Sequence, residues 1–249
     1  MNDKKSIWEK NGVKCTLLFS IAGLATQLLL QAKNGEGFLL DLGDGVCRDL
    51  ISYNIDFHSI QGVALTHGHF DHCGALHSFL GFLRMIGRTK ELHIVYPKDS
   101  IEINGLMKNF ETCYSESIPF VIKKHPITPK TSKAIQINRW ILTPIAVEHR
   151  GSTAKFGIGK PIPAYGYQVS IEGVVIAFAG DTGPTDSLYR LFSSKVDLGI
   201  CEATYPDQSW VSNKELRFHL TENEACEFTK SCKERWLVHK LPDHVLAKK

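Results

Sequence analysis

The most informative segment of the sequence is Thr66-His67-Gly68-His69-Phe70-Asp71-His72. It packs four side chains that can bind metals into six residues, directly after an apolar run with strand character. In an extended chain His67 and His69 point to the same side. A turn into a helix would bring Asp71 and His72 beside them. Imidazole nitrogens and a carboxylate suit zinc, manganese or iron, so the segment predicts a metal site.

The residues around this segment predict short strands punctuated by turns and interspersed with helices. The strands predicted in the first half are Cys15–Ser20, Thr26–Ala32, Gly37–Leu42, Gly62–Thr66, Leu92–Tyr96 and Pro119–Ile122, and the helices are Leu76–Gly87 and Ser100–Cys113. The strands predicted in the second half are Trp140–Val147, Tyr165–Ile171, Val174–Ala179, Leu198–Cys201 and Trp236–Val238, and the helices are Pro184–Phe192 and one after the Thr-x-x-Glu capping box at Thr221. Two strand-rich halves with helices indicate an α/β protein (of the α+β kind) in which two sheets pack face to face. We expect residues 1–249 to form one domain.

The composition excludes a wholly disordered chain, a collagen-like chain and a coiled coil. The chain has 249 residues, 43% of them hydrophobic and 22% charged, as in ordinary globular domains, and a formal net charge of +3. The seven cysteines are odd in number and form no Cys-x-x-Cys pair, which indicates reduced thiols. The apolar stretch Leu17–Leu30 is too short and too interrupted to span a bilayer, and Met1–Lys14 lacks a signal peptide's apolar run. We therefore expect a cytoplasmic protein without a membrane partner.

Further candidate metal ligands follow predicted strands downstream. His149 comes just after the run Trp140–Val147, Asp181 follows Val174–Ala179, and His239 follows the last predicted strand. The end of a strand is a position from which a sheet can direct side chains toward one point. Each of these residues alone also fits a turn or a surface position, but their order along the chain favours a shared site.

The pattern His-x-His-x-Asp-His resembles the signature of the metallo-β-lactamase superfamily, which implies a four-layer αββα sandwich with one or two metal ions. The resemblance also implies how the ligands are divided between two divalent ions, zinc being expected and manganese or iron the alternatives. One ion would be bound by His67, His69 and His149, the other by Asp71, His72 and His239, and Asp181 would bridge them.

Three later segments resemble one branch of that superfamily, the ribonuclease Z-like enzymes and the class II cyclic-nucleotide phosphodiesterases. They are Gly180–Asp186, Cys201-Glu202-Ala203-Thr204-Tyr205-Pro206 and Phe218-His219-Leu220-Thr221. A further segment, Pro163-Ala164-Tyr165-Gly166-Tyr167, resembles the cyclic-nucleotide group. The resemblance implies hydrolysis of a phosphodiester by metal-bound hydroxide, and often a homodimer. We expect catalytic roles for three residues: Asp71 would orient the hydroxide, His219 would protonate the leaving oxygen or bind the phosphate, and Glu202 would fix the tautomer of His219.

The sequence departs from the ribonuclease Z pattern at one place. Short ribonuclease Z enzymes carry a long arm that grips tRNA between the third histidine and the bridging aspartate, whereas here only 32 residues separate His149 from Asp181. The substrate is therefore either a small or cyclic nucleotide phosphodiester or the 3′ end of an RNA cut by an endonuclease. For the RNA substrate, the basic stretch Lys123–Arg139 is the first candidate surface. Two competing functions are that of a thioester or lactone hydrolase of the same superfamily and that of a non-catalytic RNA-binding module.

Overall fold

The computed structural model describes residues 7–130, 133–153, 157–205 and 218–242. The chain divides into two compact units between Thr128 and Pro129. Each unit is built on a β-sheet with helices packed against it. Among the described residues, no helix combines the length and the apolar character needed to cross a bilayer.

The first unit contains a seven-stranded sheet in sequence order, antiparallel from β1 to β4 and parallel from β4 to β7. Its strands are β1 (Ile7–Lys10), β2 (Val13–Ile21), β3 (Ala25–Gln31), β4 (Gly37–Leu40), β5 (Ile60–Ala64), β6 (Leu92–Pro97) and β7 (Ile122–Ile127). Its helices are α1 (Val46–Ser52), α2 (Phe70–Cys73), α3 (Leu76–Met85) and α4 (Ile101–Cys113).

The core of this unit explains why these segments fold as they do. Strands β3 and β4 are buried along almost their whole length, as expected of strands inside a sheet rather than at its edge. Helix α3 buries Leu76, Phe79, Leu80 and Leu83, which are spaced to form one helical stripe. Each such side chain stabilises the fold by about 1.5–3 kcal/mol relative to exposure.

The second unit contains a six-stranded sheet of order β15-β14-β13-β12-β9-β8 and a separate two-stranded ribbon, β10-β11. The strands are β8 (Ile135–Ile137), β9 (Trp140–Ala146), β10 (His149–Thr153), β11 (Gly157–Ile162), β12 (Tyr165–Ile171), β13 (Val174–Phe178), β14 (Leu198–Glu202) and β15 (Glu234–Val238). The helices are α5 (Ser187–Leu191) and α6 (Glu222–Phe228). Strands β13, β14 and β15 are parallel, which places their carboxyl ends at one edge.

Most predicted elements agree with the structure, but β1, α1 and β8 were not predicted, and two further places differ. The predicted strand Pro119–Ile122 is wrong because the strand runs from Ile122 to Ile127 and includes two lysines. It is an edge strand, where charged residues are tolerated and discourage pairing with other chains. The ribbon β10-β11 was not predicted. His149 follows β9, as predicted, and is also the first residue of β10. The capping box of α6 is confirmed, since Thr221 and Glu224 exchange hydrogen bonds.

All seven cysteines are free thiols, which agrees with the expectation of a reduced protein. Three of them, Cys15, Cys73 and Cys201, are buried. Burial raises the pKa of the Cys47 thiol and of the Cys232 thiol to about 11, so both stay protonated and unreactive at neutral pH.

Arg88 is a fully buried arginine that holds the segments around β5 and β6 together. Its guanidinium donates to the carbonyl oxygens of Ile60 (2.7 Å), Glu91 (2.8 Å), Lys90 (2.9 Å) and Phe57 (3.0 Å). Replacing Arg88 by methionine would leave these buried acceptors unsatisfied. We expect Arg88→Met to lower the free energy of unfolding by about 3–5 kcal/mol in urea titrations.

The matched control for Arg88→Met is Arg48→Met. The Arg48 side chain is 69% exposed, and the change should shift stability by no more than about 0.5 kcal/mol. If both variants unfolded at the same urea concentration, the carbonyl contacts of Arg88 would not be stabilising the unit.

His93 on β6 and His125 on β7 form a histidine pair near the edge of the sheet. The Nδ1 atom of His93 lies 2.9 Å from Nε2 of His125, and the rings stack. Burial lowers the pKa of both imidazoles, although Glu91, 4.0 Å from His93, opposes this at that ring. A lowered pKa means that the fold favours the neutral form, so stability is full above about pH 6.5 and is lost as the pH falls through the folded pKa values.

We therefore expect the melting temperature to decline between about pH 6.5 and pH 5, the range in which the unfolded histidines take up protons. In His125→Gln the decline should be shallower, because one of the two titrating rings is gone. His58→Gln, in the turn before β5, serves as the control variant. If the melting temperatures of His125→Gln and wild type depended on pH in the same way, His125 would not contribute to the decline.

Candidate metal centre

The first ligand cluster is built at the carboxyl edge of parallel strands β4 and β5. Asp41 follows β4 and Thr66 follows β5, so the two residues meet at one edge of the sheet. The Asp41 carboxylate is fully buried and accepts hydrogen bonds from the Thr66 backbone N–H (2.7 Å) and from the Thr66 hydroxyl (2.8 Å). Asp41 has φ = 60°, a left-handed conformation that aspartate adopts more readily than most residues.

This carboxylate fixes the tautomers of two predicted ligands. Nδ1 of His72 donates to Asp41 at 2.7 Å. The Thr66 hydroxyl has one proton and gives it to Asp41, so it accepts from Nδ1 of His67 at 3.0 Å. Both imidazoles therefore carry their proton on Nδ1 and present the lone pair of Nε2. A carboxylate behind an imidazole in this way is the usual support of a metal-binding histidine.

The other members of the motif lie beside these rings. The ring centroid of His67 is 4.7 Å from that of His69 and 4.2 Å from that of His72. Asp71 places a carboxylate oxygen 3.7 Å from Nε2 of His72, and the same oxygen accepts a 2.9 Å hydrogen bond from the backbone N–H of Gly23. The turn between β2 and β3 thus positions the Asp71 carboxylate, and four predicted ligands of the first unit form one cluster.

The second cluster lies at the carboxyl edge of β13, β14 and β15. Asp181 follows β13 and His239 follows β15. The Asp181 carboxylate is 3.4 Å from Nε2 of His239 and 4.0 Å from Nε2 of His149. Nδ1 of His149 donates to the carbonyl oxygen of Phe218 at 2.9 Å, which leaves Nε2 as the lone-pair nitrogen. The structure therefore brings together the three predicted ligands of this unit.

Glu202 supports this cluster as Asp41 supports the first. It is the last residue of β14, it is buried, and it accepts from the Thr204 hydroxyl at 2.7 Å. Because that hydroxyl gives its proton to Glu202, it accepts from Nδ1 of His239 at 2.8 Å. The backbone N–H groups of Thr182 and Thr204 also donate to the carboxylate, so the buried charge is fully hydrogen-bonded.

His219 contacts the same carboxylate. Its Nδ1 donates to Glu202 at 2.8 Å, and its ring stacks on that of His239 at a centroid distance of 5.5 Å. Glu202, His219 and His239 have ligand-type atoms within 4.8 Å of one another. Since hydrogen bonds within the unit occupy the Nδ1 atoms of both rings, we interpret this trio as an orienting network. The His219 side chain is 13% exposed.

The donor set of both clusters fits divalent metal ions. Imidazole nitrogens and carboxylate oxygens are available, and the nearby Cys73 thiol is not, because it donates to the carbonyl oxygen of Gly68. Burial raises the pKa of Cys73 to about 12, so the thiol stays protonated. Burial also raises the pKa of Asp41, and the charge and hydrogen bonds of His72 oppose this rise.

Sequence reasoning missed the supporting residues Asp41 and Thr204. Asp41 falls inside the predicted strand Gly37–Leu42, but β4 ends at Leu40, which frees its side chain to turn to the edge. A buried-type apolar run followed by an aspartate is the signal that could have identified it. Thr204 lies two residues after Glu202, and the sequence pattern predicted a role for Glu202 only.

Solved structures show which fold this arrangement belongs to. The human short-form tRNase Z is 21% identical with a TM-score of 0.73, and the alignment covers 92% of this chain and 93% of that one. Yeast PDE1 is 14% identical with a TM-score of 0.61 over 92% of this chain and 88% of that one. The predicted metallo-β-lactamase fold is confirmed by these matches.

Sequence comparison identifies the family. Residues 51–240 match the family model described as the beta-lactamase superfamily domain, and the chain belongs to this family. Ribonuclease Z of Lachnoclostridium phytofermentans is 24% identical over 252 aligned positions, which span 86% of this chain and 81% of that protein. The resemblance to the ribonuclease Z-like branch is therefore confirmed as well.

Proposed function

We propose that this protein is a dinuclear metal-dependent phosphodiesterase. The observation that carries the proposal is the pair of carboxylate–threonine networks, which fix Nδ1 protons so that Nε2 atoms are presented as ligands. In the pattern that the family resemblance implies, two divalent ions, zinc with manganese or iron as alternatives, would be bound by His67, His69, Asp71, His72, His149, Asp181 and His239.

Ions bound by these residues would activate water and neutralise the charge that builds on the phosphate oxygens. The chain's own groups supply the rest. Asp71, positioned by Gly23, orients the attacking water. His219 gives a proton from Nε2 to the leaving oxygen, because its Nδ1–H is already committed to Glu202. Glu202 is a positioning residue that stabilises the imidazolium form of His219.

The charge pairs of the basic stretch Lys123–Arg139 favour a small substrate. Lys124 lies 2.7 Å from Glu111, Lys123 lies 3.5 Å from Glu91, and Arg139 lies 2.7 Å from Glu172. Cations paired with carboxylates attract phosphates weakly. A small or cyclic nucleotide phosphodiester is therefore the first candidate, and the ribonuclease Z relatives support the 3′ end of an RNA as the second.

A paired turnover assay on metal-loaded protein tests this proposal. One reaction contains 3′,5′-cyclic AMP, the second a tRNA precursor with a 3′ trailer, and the third a glutathione thioester, with Asp71→Ala as the blank for each. Cleavage of cyclic AMP alone supports the small-substrate enzyme, and trailer removal alone supports the RNA enzyme. Hydrolysis of the thioester alone would overturn the phosphodiesterase in favour of a thioester hydrolase. Protein that cleaves none of the three yet binds RNA would instead be a binding module.

We also propose that residues 1–249 form a single domain, that the protein is a homodimer and that it is cytoplasmic. These follow from the sequence and from the family resemblance alone. Light scattering measures the association state directly: a mass twice that of the 27.9 kDa chain is expected, and a monomer mass would contradict the dimer.

A further inference from the structure

An apolar groove lies beside the metal-binding motif of the first unit. It is a cavity of about 540 Å³ between helices α2 and α4. Its walls include Gly68, His69, Phe70, Ile101, Glu102 and Leu106. The Phe70 side chain is 66% exposed and Ile101 is 83% exposed. Large apolar side chains that are grouped at the surface often mark a binding site.

Hydrogen bonds hold the backbone on both sides of the groove. Phe70 begins α2, between His69 and Asp71, and its carbonyl oxygen accepts from Gly74 N–H at 2.7 Å. On the opposite wall, the hydroxyl of Ser100 caps α4. Binding of a ligand would therefore need to order side chains but not the backbone.

Glu102 adds a carboxylate to this largely apolar surface. The Glu102 carboxylate accepts a hydrogen bond from the Ser100 hydroxyl at 3.1 Å, and a Cβ atom at Gly68 would clash with its Oε2. Glycine in the His-Gly-His segment is therefore what lets Glu102 approach the motif. A carboxylate accepts hydrogen bonds from N–H and O–H groups, and it repels phosphate.

These features select one class of occupant. A nucleobase has a flat π face for Phe70 and N–H donors for Glu102, and stacking on an aromatic side chain tolerates every base. The proximity of Phe70 to His69 and Asp71 would place such a base next to a phosphate held at the metal centre. We propose that this groove binds the nucleobase adjoining the scissile phosphodiester, with Phe70 stacked on the base. The inference rests on the proposed phosphodiesterase function.

The test compares three substrates by chromatography of the products: the dinucleotide ApA and its two versions in which one adenine is replaced by hydrogen. We expect Phe70→Ala to lower kcat/KM for ApA about tenfold, and Phe70→Trp to retain the wild-type value. For the substrate that lacks the base bound in the groove, wild type and Phe70→Ala should have kcat/KM values within about twofold of each other. With that substrate neither enzyme can make the stacking contact. An equal loss on all three substrates would overturn the inference.

A binding measurement separates this inference from the proposed function. Metal-loaded wild type should quench the fluorescence of 2-aminopurine riboside 5′-monophosphate, and Phe70→Ala should bind it about tenfold more weakly. If wild type cleaved no dinucleotide but showed this Phe70-dependent quenching, the phosphodiesterase would fail and the base site would stand. Quenching unaffected by Phe70→Ala would refute the base site.

The control is Met85→Ala, an exposed apolar residue of α3 that does not line the groove. It should leave both measurements unchanged. Light scattering of each variant completes the design. A change of mass in Phe70→Ala would identify the groove as a contact between two copies of the chain and would overturn the proposal.

Discussion

His219→Ala is expected to lower kcat by about 10²–10⁴-fold on a nucleotide or RNA substrate while the metal content stays at the wild-type level. The reason is that a sugar alkoxide is a poor leaving group and needs a proton as the bond breaks. His219 can supply that proton from Nε2, because Glu202 accepts from its Nδ1 at 2.8 Å and favours the imidazolium. The measurements are single-turnover rates and elemental analysis of the purified variant.

A second leaving group distinguishes proton donation from a structural role. With a p-nitrophenyl ester, whose phenolate leaves without a proton, the loss in His219→Ala should be much smaller than with the nucleotide. His219→Asn retains an N–H for Glu202 but cannot donate as an acid, so it should behave like alanine. An equal loss with both leaving groups would refute the role as acid, and loss of metal would instead make His219 a ligand.

Asp41→Asn should weaken the binding of the metal ion held by the first cluster by about 10–100-fold. Asp41 accepts the Nδ1–H of His72 and the hydroxyl proton of Thr66 on the same oxygen, Oδ2. The other oxygen, Oδ1, accepts from the Thr66 backbone N–H at 2.7 Å. An amide replaces one of these oxygens by an NH₂ donor, so either the Thr66 N–H or the imidazole and hydroxyl lose their acceptor in the interior. Competition with a chelator measures the affinity, and thermal melting with and without zinc measures the linked stability.

Asp44→Asn is the matched control, because it makes the same chemical change on an exposed residue of the same loop. It should leave both the affinity and the melting temperature unchanged. If Asp41→Asn bound zinc as tightly as wild type, the hydrogen bonds to Asp41 would not be needed to hold the imidazoles in their binding tautomer.

The residues that form the two clusters were predictable because each follows an apolar run that can be recognised as a strand. Asp181 and His239 are examples, since β13 and β15 end just before them. Asp41 and Thr204 were not found, because their role depends on which neighbour accepts a proton, and that is a property of the folded sheet. The strand β7 was misplaced because Lys123 and Lys124 lack the apolar character on which the strand rule relies.

The ribbon that begins at His149 has a consequence for how this fold can diversify. Among the described strands β10 and β11 pair only with each other, and His149 is in register with Ile162 at the base of the ribbon. Residues inserted between the two strands would extend the far end and leave the base in place. The ribbon can therefore become longer by insertion without displacing His149, a predicted metal ligand.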